Sequence, residues 1–251
     1  MRESAIFTSA TAPLRRINAR ILTVMGLLVA LGAAAALVGP PAAESQAPTV
    51  RVLGKTPSPP RPACPATDRT SCMAVGNVTI FQSMIGGSHM PYQVPFHGKL
   101  AAWSITLSKP RRSEVRGFDD FYGRPSQARI SVLRPVGKKR PPIYKMVRQS
   151  PIQELNRFFG RTVHFALERP LNVRRGQIIA LTIPTWAPNW AVNLDNNNAW
   201  RASRHSKRCD DSDIQEYSRP QQKVGSNRQY GCYFTNTRFL YTATVVRDPS
   251  S

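Results

Sequence analysis

The segment "TWAPNWAVNLDNNNAWRASRHSKR" sets Trp186, Trp190 and Trp200 among asparagines and arginines. Aromatic rings stack on sugar faces or bases, and amide and guanidinium groups hydrogen-bond the edges of such ligands. Trp186, Trp190, Trp200 and the adjacent Arg201 are therefore the candidate binding residues. The segment is also long, and long connections in compact domains tend to be functional. A second assignment competes: the rings plug one end of the fold and the asparagines make turns.

Catalytic patterns are sparse. His89, His97, His164 and His205 stand in no H-E-x-x-H or other metal spacing, and no G-x-S-x-G is present. "IGGSH" lacks the lysine and helix of a phosphate loop. Asp119 and Asp120 in "GFDDFYG" are a carboxylate pair, but glycosidases place two carboxyls about 5–9.5 Å apart across one bond. Adjacent residues read as a loop seldom aim that way. Phe118, Phe121 and Tyr122 around them form either a binding edge or a tuck under the fold. In "VHFALE" His164 alternates with Phe165 and faces solvent with Glu168, about 13 Å away along a strand. A hydrolase built from Asp119, Asp120, Glu168 and His164 is the alternative to a non-catalytic protein. Asp210, Asp211 and Asp213 in "CDDSD" are hard oxygen ligands that suit calcium, yet the twelve-residue loop pattern and its terminal glutamate are missing. The expectation is no cofactor and no metal, with calcium at that loop as the minor alternative.

Charge bounds the partners. Lys and Arg total 35 against 14 Asp and Glu, a net charge of +21, and nearly all of it lies beyond residue 40. A domain this basic draws polyanions such as teichoic or uronic polymers, phospholipid head groups or nucleic acid. Nucleic acid is the least expected of these. The alternative is an arginine-rich composition with no particular partner. No block of five like charges occurs, so there is no basic tail.

The compartment is read from the first residues. A basic stretch over 1–20, with Arg15, Arg16 and Arg20, meets an uncharged apolar run over 21–39, which Pro40 and Pro41 stop. About 20 residues at 1.5 Å each span the hydrocarbon core. The run is longer than an ordinary signal-peptide core, which favours an uncleaved anchor. A cleavable signal with Ala43-Glu44-Ser45 as its small-x-small site is the rival, and would make the domain freely secreted. In both cases residues 1–20 are cytoplasmic by the positive-inside rule. Residues 40–63, dense in proline, read as an extended spacer. Residues 64–251 read as one extracytoplasmic domain.

Four cysteines outside the cytoplasm read as disulfides. Cys64–Cys72 and Cys209–Cys232 are the expected pairs, because each flanks one local loop.

The apolar period beyond Cys72 is two. "WSITLS" puts Trp103, Ile105 and Leu107 on one face; "ARISVLR" does so with Ala128, Ile130 and Val132; "VHFALE" with Val163, Phe165 and Leu167; "RFLYTATVV" with Phe239, Tyr241, Ala243 and Val245. "GQIIALTIP" is a continuous apolar run and reads as a central strand, while "VGNVTIF" and "PIYKMV" are weaker candidates. No helical pattern lasts more than two turns. The expected fold is all-β: an antiparallel β-sandwich or jelly roll, preceded by one N-terminal transmembrane or signal helix.

The order "GKLAAWSITL", then "ARISVLRPVG", then "VHFALERPLNVRRGQIIAL" resembles uncharacterised exported β-sandwich proteins of actinobacteria. The resemblance covers about Gly98 to Leu181, plus the strand near Cys232. The chain departs from the pattern at Gln177, where an acid is usual, and in its basic loops. The resemblance implies a jelly-roll-like fold with a likeness to carbohydrate-binding modules, and it carries no catalytic residues. The resulting expectation is a non-catalytic binding or scaffolding module for envelope glycopolymers or polyanions, held at the cell membrane. A hydrolase acting on such polymers and a purely structural envelope protein are the alternatives.

Overall fold

A strand with one apolar face buries it only by pairing and packing. The computed structural model, which describes residues 48–63, 72–209 and 221–249, shows such pairing along nearly the whole chain. In chain order the elements are β1 (Val50–Leu53), β2 (Val75–Ile85), β3 (Ser88–His89), β4 (Gly98–Thr106), α1 (Arg112–Tyr122), β5 (Gln127–Pro135), β6 (Ile143–Gln149) and β7 (Gln153–Glu154). They continue with β8 (Thr162–Val173), β9 (Ile178–Ala187), β10 (Trp190–Ala191), β11 (Ala199–Ala202), β12 (Asn227–Gln229), β13 (Cys232–Thr235), β14 (Arg238–Phe239) and β15 (Tyr241–Arg247).

The fold is all-β and sandwich-like, with antiparallel sheets. A small sheet has the order β1-β15-β4-β8, and a larger one the order β12-β6-β5-β9-β2-β11-β13, with β3 on β2 and β7 on β5. The two sheets share one apolar core. Trp103, Ile105, Phe165, Ala243 and Val245 of the small sheet belong to the same buried cluster as Ile80, Ile130, Val132 and Leu181 of the larger one. Trp103 and Phe165, opposite each other on β4 and β8, hold their rings 4.7 Å apart. β9 is the central strand its apolar run implies, flanked by β5 and β2. It is covered on both faces, so the polar residues beside its apolar ones need partners. They find one another: Thr182 pairs with Thr79 at 2.9 Å and with Ser131 at 2.8 Å.

Several expectations need correction. Val50–Leu53, inside the 40–63 stretch expected to be a spacer, forms β1, with Val50 opposite Val246. Four alternating residues between prolines are too short a run to stand out. Asp119 and Asp120 lie on α1, a helix of three turns, not on a loop. Its apolar stripe is only Val115, Phe118 and Tyr122, interrupted by Gly117 and the acids, which hides the helical period. Glu114 ties it down by accepting from the backbone N–H of Arg111 at 2.7 Å and of Cys72 at 2.9 Å. "RFLYTATVV" is two strands, because Leu240 separates β14, paired with β10, from β15, paired with β4. The segments 1–20 and 21–39 lie outside the described residues, among which no helix is long and apolar enough to cross a membrane. Cys64, and with it the expected Cys64–Cys72 pair, also lies outside them.

Three buried tyrosines lock the sandwich. Tyr92 stacks on Tyr241 at 4.2 Å and donates to the Tyr241 carbonyl. Tyr241 donates to the Ile179 carbonyl at 3.2 Å, joining β15 to β9. Tyr230 donates to Gln222 Oε1 at 2.8 Å. Burial raises all three phenols well above their ordinary value of 10.0. The unfolded chain therefore ionises first, and stability falls as pH rises above about 10. The expected result is a cooperative alkaline unfolding in which the tyrosinate absorbance of three of the seven tyrosines rises only together with the loss of circular dichroism. Tyrosinate absorbance from all seven in a protein whose circular dichroism is still native would show that these rings are not buried.

Candidate binding surface

The structure brings Trp190 and Trp200 together and turns them inward. Their rings meet edge to face at 6.1 Å. Trp200 also stacks on Phe234 at 4.4 Å and meets Phe239 at 4.7 Å, and its Nε1 donates to Thr237 Oγ1 at 2.6 Å. Trp186 lies apart, fully buried between Phe118 of α1 and Phe159, with Nε1 donating to Asp119 Oδ1 at 2.8 Å. Trp200 is 5% exposed and Trp186 0%. Neither offers an open face for stacking. The asparagines between them make a turn in which Asp195 accepts from the Asn197 N–H at 3.1 Å and from Asn198 Nδ2 at 2.7 Å. Arg201 is spent on neutral partners: Nη1 donates to the Tyr230 carbonyl at 3.1 Å, and the guanidinium lies 4.7 Å from the Tyr233 ring centre.

The carboxylates and histidines that a hydrolase would use are dispersed. Asp119 holds Trp186 from α1, against the larger sheet, while His164 and Glu168 are exposed on β8 of the small sheet. Asp210, Asp211 and Asp213 lie outside the described residues. Asn77, in the sequon "NVT", is only 5% exposed, in β2.

The outer face of the small sheet forms a groove. Inward residues of its strands are apolar; the outward ones, Ser104 and Thr106 on β4, Thr242 and Thr244 on β15, Thr162 and His164 on β8, are hydroxyl-bearing or imidazole. Strand register aligns them. Ser104 stands opposite both Thr242 and His164, and Thr106 opposite Thr162. Ser104 Oγ and Thr242 Oγ1 are 2.6 Å apart, and the Thr106 and Thr162 hydroxyls 2.8 Å. With Val52 and the segment Gly54 to Pro59 as one wall, they line a groove of about 380 Å³, within the usual range for small-ligand sites.

Arg238 lines the same groove from β14. It is 5% exposed, with Nη1 donating to Thr56 Oγ1 at 3.0 Å and Nη2 to the Gly54 carbonyl at 2.9 Å. Its Nε is buried without a partner. Among the described residues no carboxylate pairs with it. Buried charges are normally paired, so the groove carries an uncompensated positive charge. Burial pulls this guanidinium below the ordinary arginine range, and the nearby Tyr92 offsets that only in part. Gly54 makes the arrangement feasible: its φ is +75°, and a Cβ there would run into the Tyr92 ring.

Sequence reasoning passed over Arg238 and this hydroxyl face. A signal was present. In a chain so rich in Lys and Arg, the outward positions of "SIT", "YTAT" and "TVH" carry none, and a lone arginine opens the β14 segment. Comparison with family models, with characterised proteins and with solved structures finds no match.

Proposed function

We propose that this chain is a non-catalytic binding module of the cell envelope, a sandwich of the jelly-roll kind, that holds an anionic glycopolymer on the outer face of its small sheet. Arg238 carries this reading: a buried cation without a counter-ion, at a groove lined by hydroxyls. A carboxylate bound there would supply the missing charge, and the hydroxyls both donate to and accept from sugar hydroxyls. The net charge of +21 adds long-range attraction. An extracytoplasmic location rests on the basic flank, the apolar run over 21–39 and the resemblance to exported β-sandwich proteins. A purely structural envelope role is the second reading, favoured by the burial of Trp186 and Trp200.

The test is titration of the purified full chain with a polyuronate and, as control, a neutral glucan. The acidic polymer binds, and its affinity falls steeply between about 50 and 200 mM salt as counter-ions are released. Arg238→Met fills the same slot without charge and weakens binding about tenfold. Thr162→Val, at an exposed site, lowers affinity more modestly and leaves the fold intact. If both polymers bind alike, or neither binds, the structural reading replaces this one.

A further inference from the structure

The groove continues along its own strands. On β4 the outward face runs from Thr106 and Ser104 over Ala102 toward Lys99, and on β8 from Thr162 and His164 over Ala166 toward Asn172. Ala102 and Ala166 stand opposite each other, and past their methyl groups β8 exposes Glu168 and Arg169, a carboxylate and a cation side by side. Between Ala166 and Leu171 the register slips, and Leu167 to Pro170 bulge out of the edge strand. Beyond lies a second groove of about 430 Å³, lined by Lys99, Arg134, Arg148 and Arg174 with His97 and Asp248. Lys99 Nζ donates to Asn172 Oδ1, and Arg148 Nε to the Asn172 carbonyl at 3.1 Å, which fixes both cations at the mouth. On β5 and β6, Arg134 sits opposite Lys145. Like charges so placed are destabilising, and an anion held by Arg134 in this groove lowers that cost.

We infer that the ligand is a linear acidic polysaccharide lying lengthwise on β4 and β8, one anionic group in the groove of Arg238 and others in the groove of Lys99, Arg134, Arg148 and Arg174. This rests on the binding reading above and adds to it a required length. Lys99 and Thr106 are seven residues apart on β4, so the track covers about 20 Å. Carboxylated sugars suit it better than nucleic acid. Neither groove is lined by an exposed aromatic ring on which bases could stack. The paired hydroxyls between the charged ends offer acceptors as well as donors, which sugar hydroxyls need and a phosphodiester backbone does not.

The experiment titrates the full chain with size-graded oligouronates from the disaccharide upward, and with single-stranded RNA of matched charge. Affinity is expected to rise abruptly once an oligomer can reach about 20 Å, because the second contact becomes intramolecular. Arg134→Gln with Arg174→Gln, both exposed side chains, should weaken the long oligomers about tenfold and the disaccharide less, because a disaccharide still has the groove of Arg238. Arg238→Met should weaken both. If the disaccharide binds as tightly as the polymer, or the double variant leaves the polymer unaffected, the track is refuted while the single groove stands. If no oligouronate binds, the glycopolymer reading itself fails. If RNA binds more tightly than the uronate, the assignment to carbohydrate is overturned.

Discussion

Trp200→Ala and Trp186→Ala are each expected to lower the unfolding free energy by about 3–5 kcal/mol, the usual cost of truncating a buried large aromatic residue. Trp200 would lose contacts with Trp190, Phe234 and Phe239, and Thr237 its hydrogen-bond donor. Trp186 would leave a hole between Phe118 and Phe159 and strand Asp119. Against a typical domain stability of about 5–15 kcal/mol, each change consumes a large share, and the double variant should not fold. Denaturant unfolding followed by tryptophan fluorescence measures this. A Trp200→Ala protein with the wild-type midpoint and reduced glycan binding would restore the rings to the role their sequence suggests.

Opening the Cys209–Cys232 disulfide is the second large effect. The bridge closes a loop with a sequence separation of 23, and its Cα atoms are 5.2 Å apart. Restricting the unfolded chain over such a loop contributes about 3 kcal/mol in the chain-entropy account. The cross-link anchors β13 to the short helical turn over Ser206–Arg208, beside the strand register that pairs Ala202 with Cys232. Cys209→Ser with Cys232→Ser should lower the denaturation midpoint accordingly. The polyuronate affinity of the remaining folded protein should hold, because neither groove is lined by these residues. An unchanged midpoint would mean that the unfolded chain is already restricted there by other means.

Periodicity made the sandwich-like architecture legible. Trp103 and Ile105 on β4, or Tyr241, Ala243 and Val245 on β15, alternate cleanly because each strand covers the core with one face. The central strand β9 was legible for the opposite reason: covered on both sides, it has little polar sequence to show. Strand length limited the rest. β1 has four residues and β14 two, too few for a period to register. The aromatic cluster misled because a tryptophan among asparagines looks the same whether it faces a ligand or fills a corner; neighbours distant in sequence, such as Phe159 for Trp186, decide the matter. The groove was hidden likewise. Ser104, Thr162 and Thr242 come from three separate strands, and only antiparallel register makes them a row.

β15 lies inside the small sheet, hydrogen-bonded to β4 on one side and to β1 on the other, with Val50 opposite Val246. As the chain is made, the first and fourth strands must therefore wait for the fifteenth. Until Tyr241 to Arg247 arrive, β4 presents a bare hydrogen-bonding edge to any passing strand. Closing so long a loop is slow, and an open edge invites pairing between chains. The strand that completes the hydroxyl-lined face thus also times the fold, and early intermediates need shelter from one another.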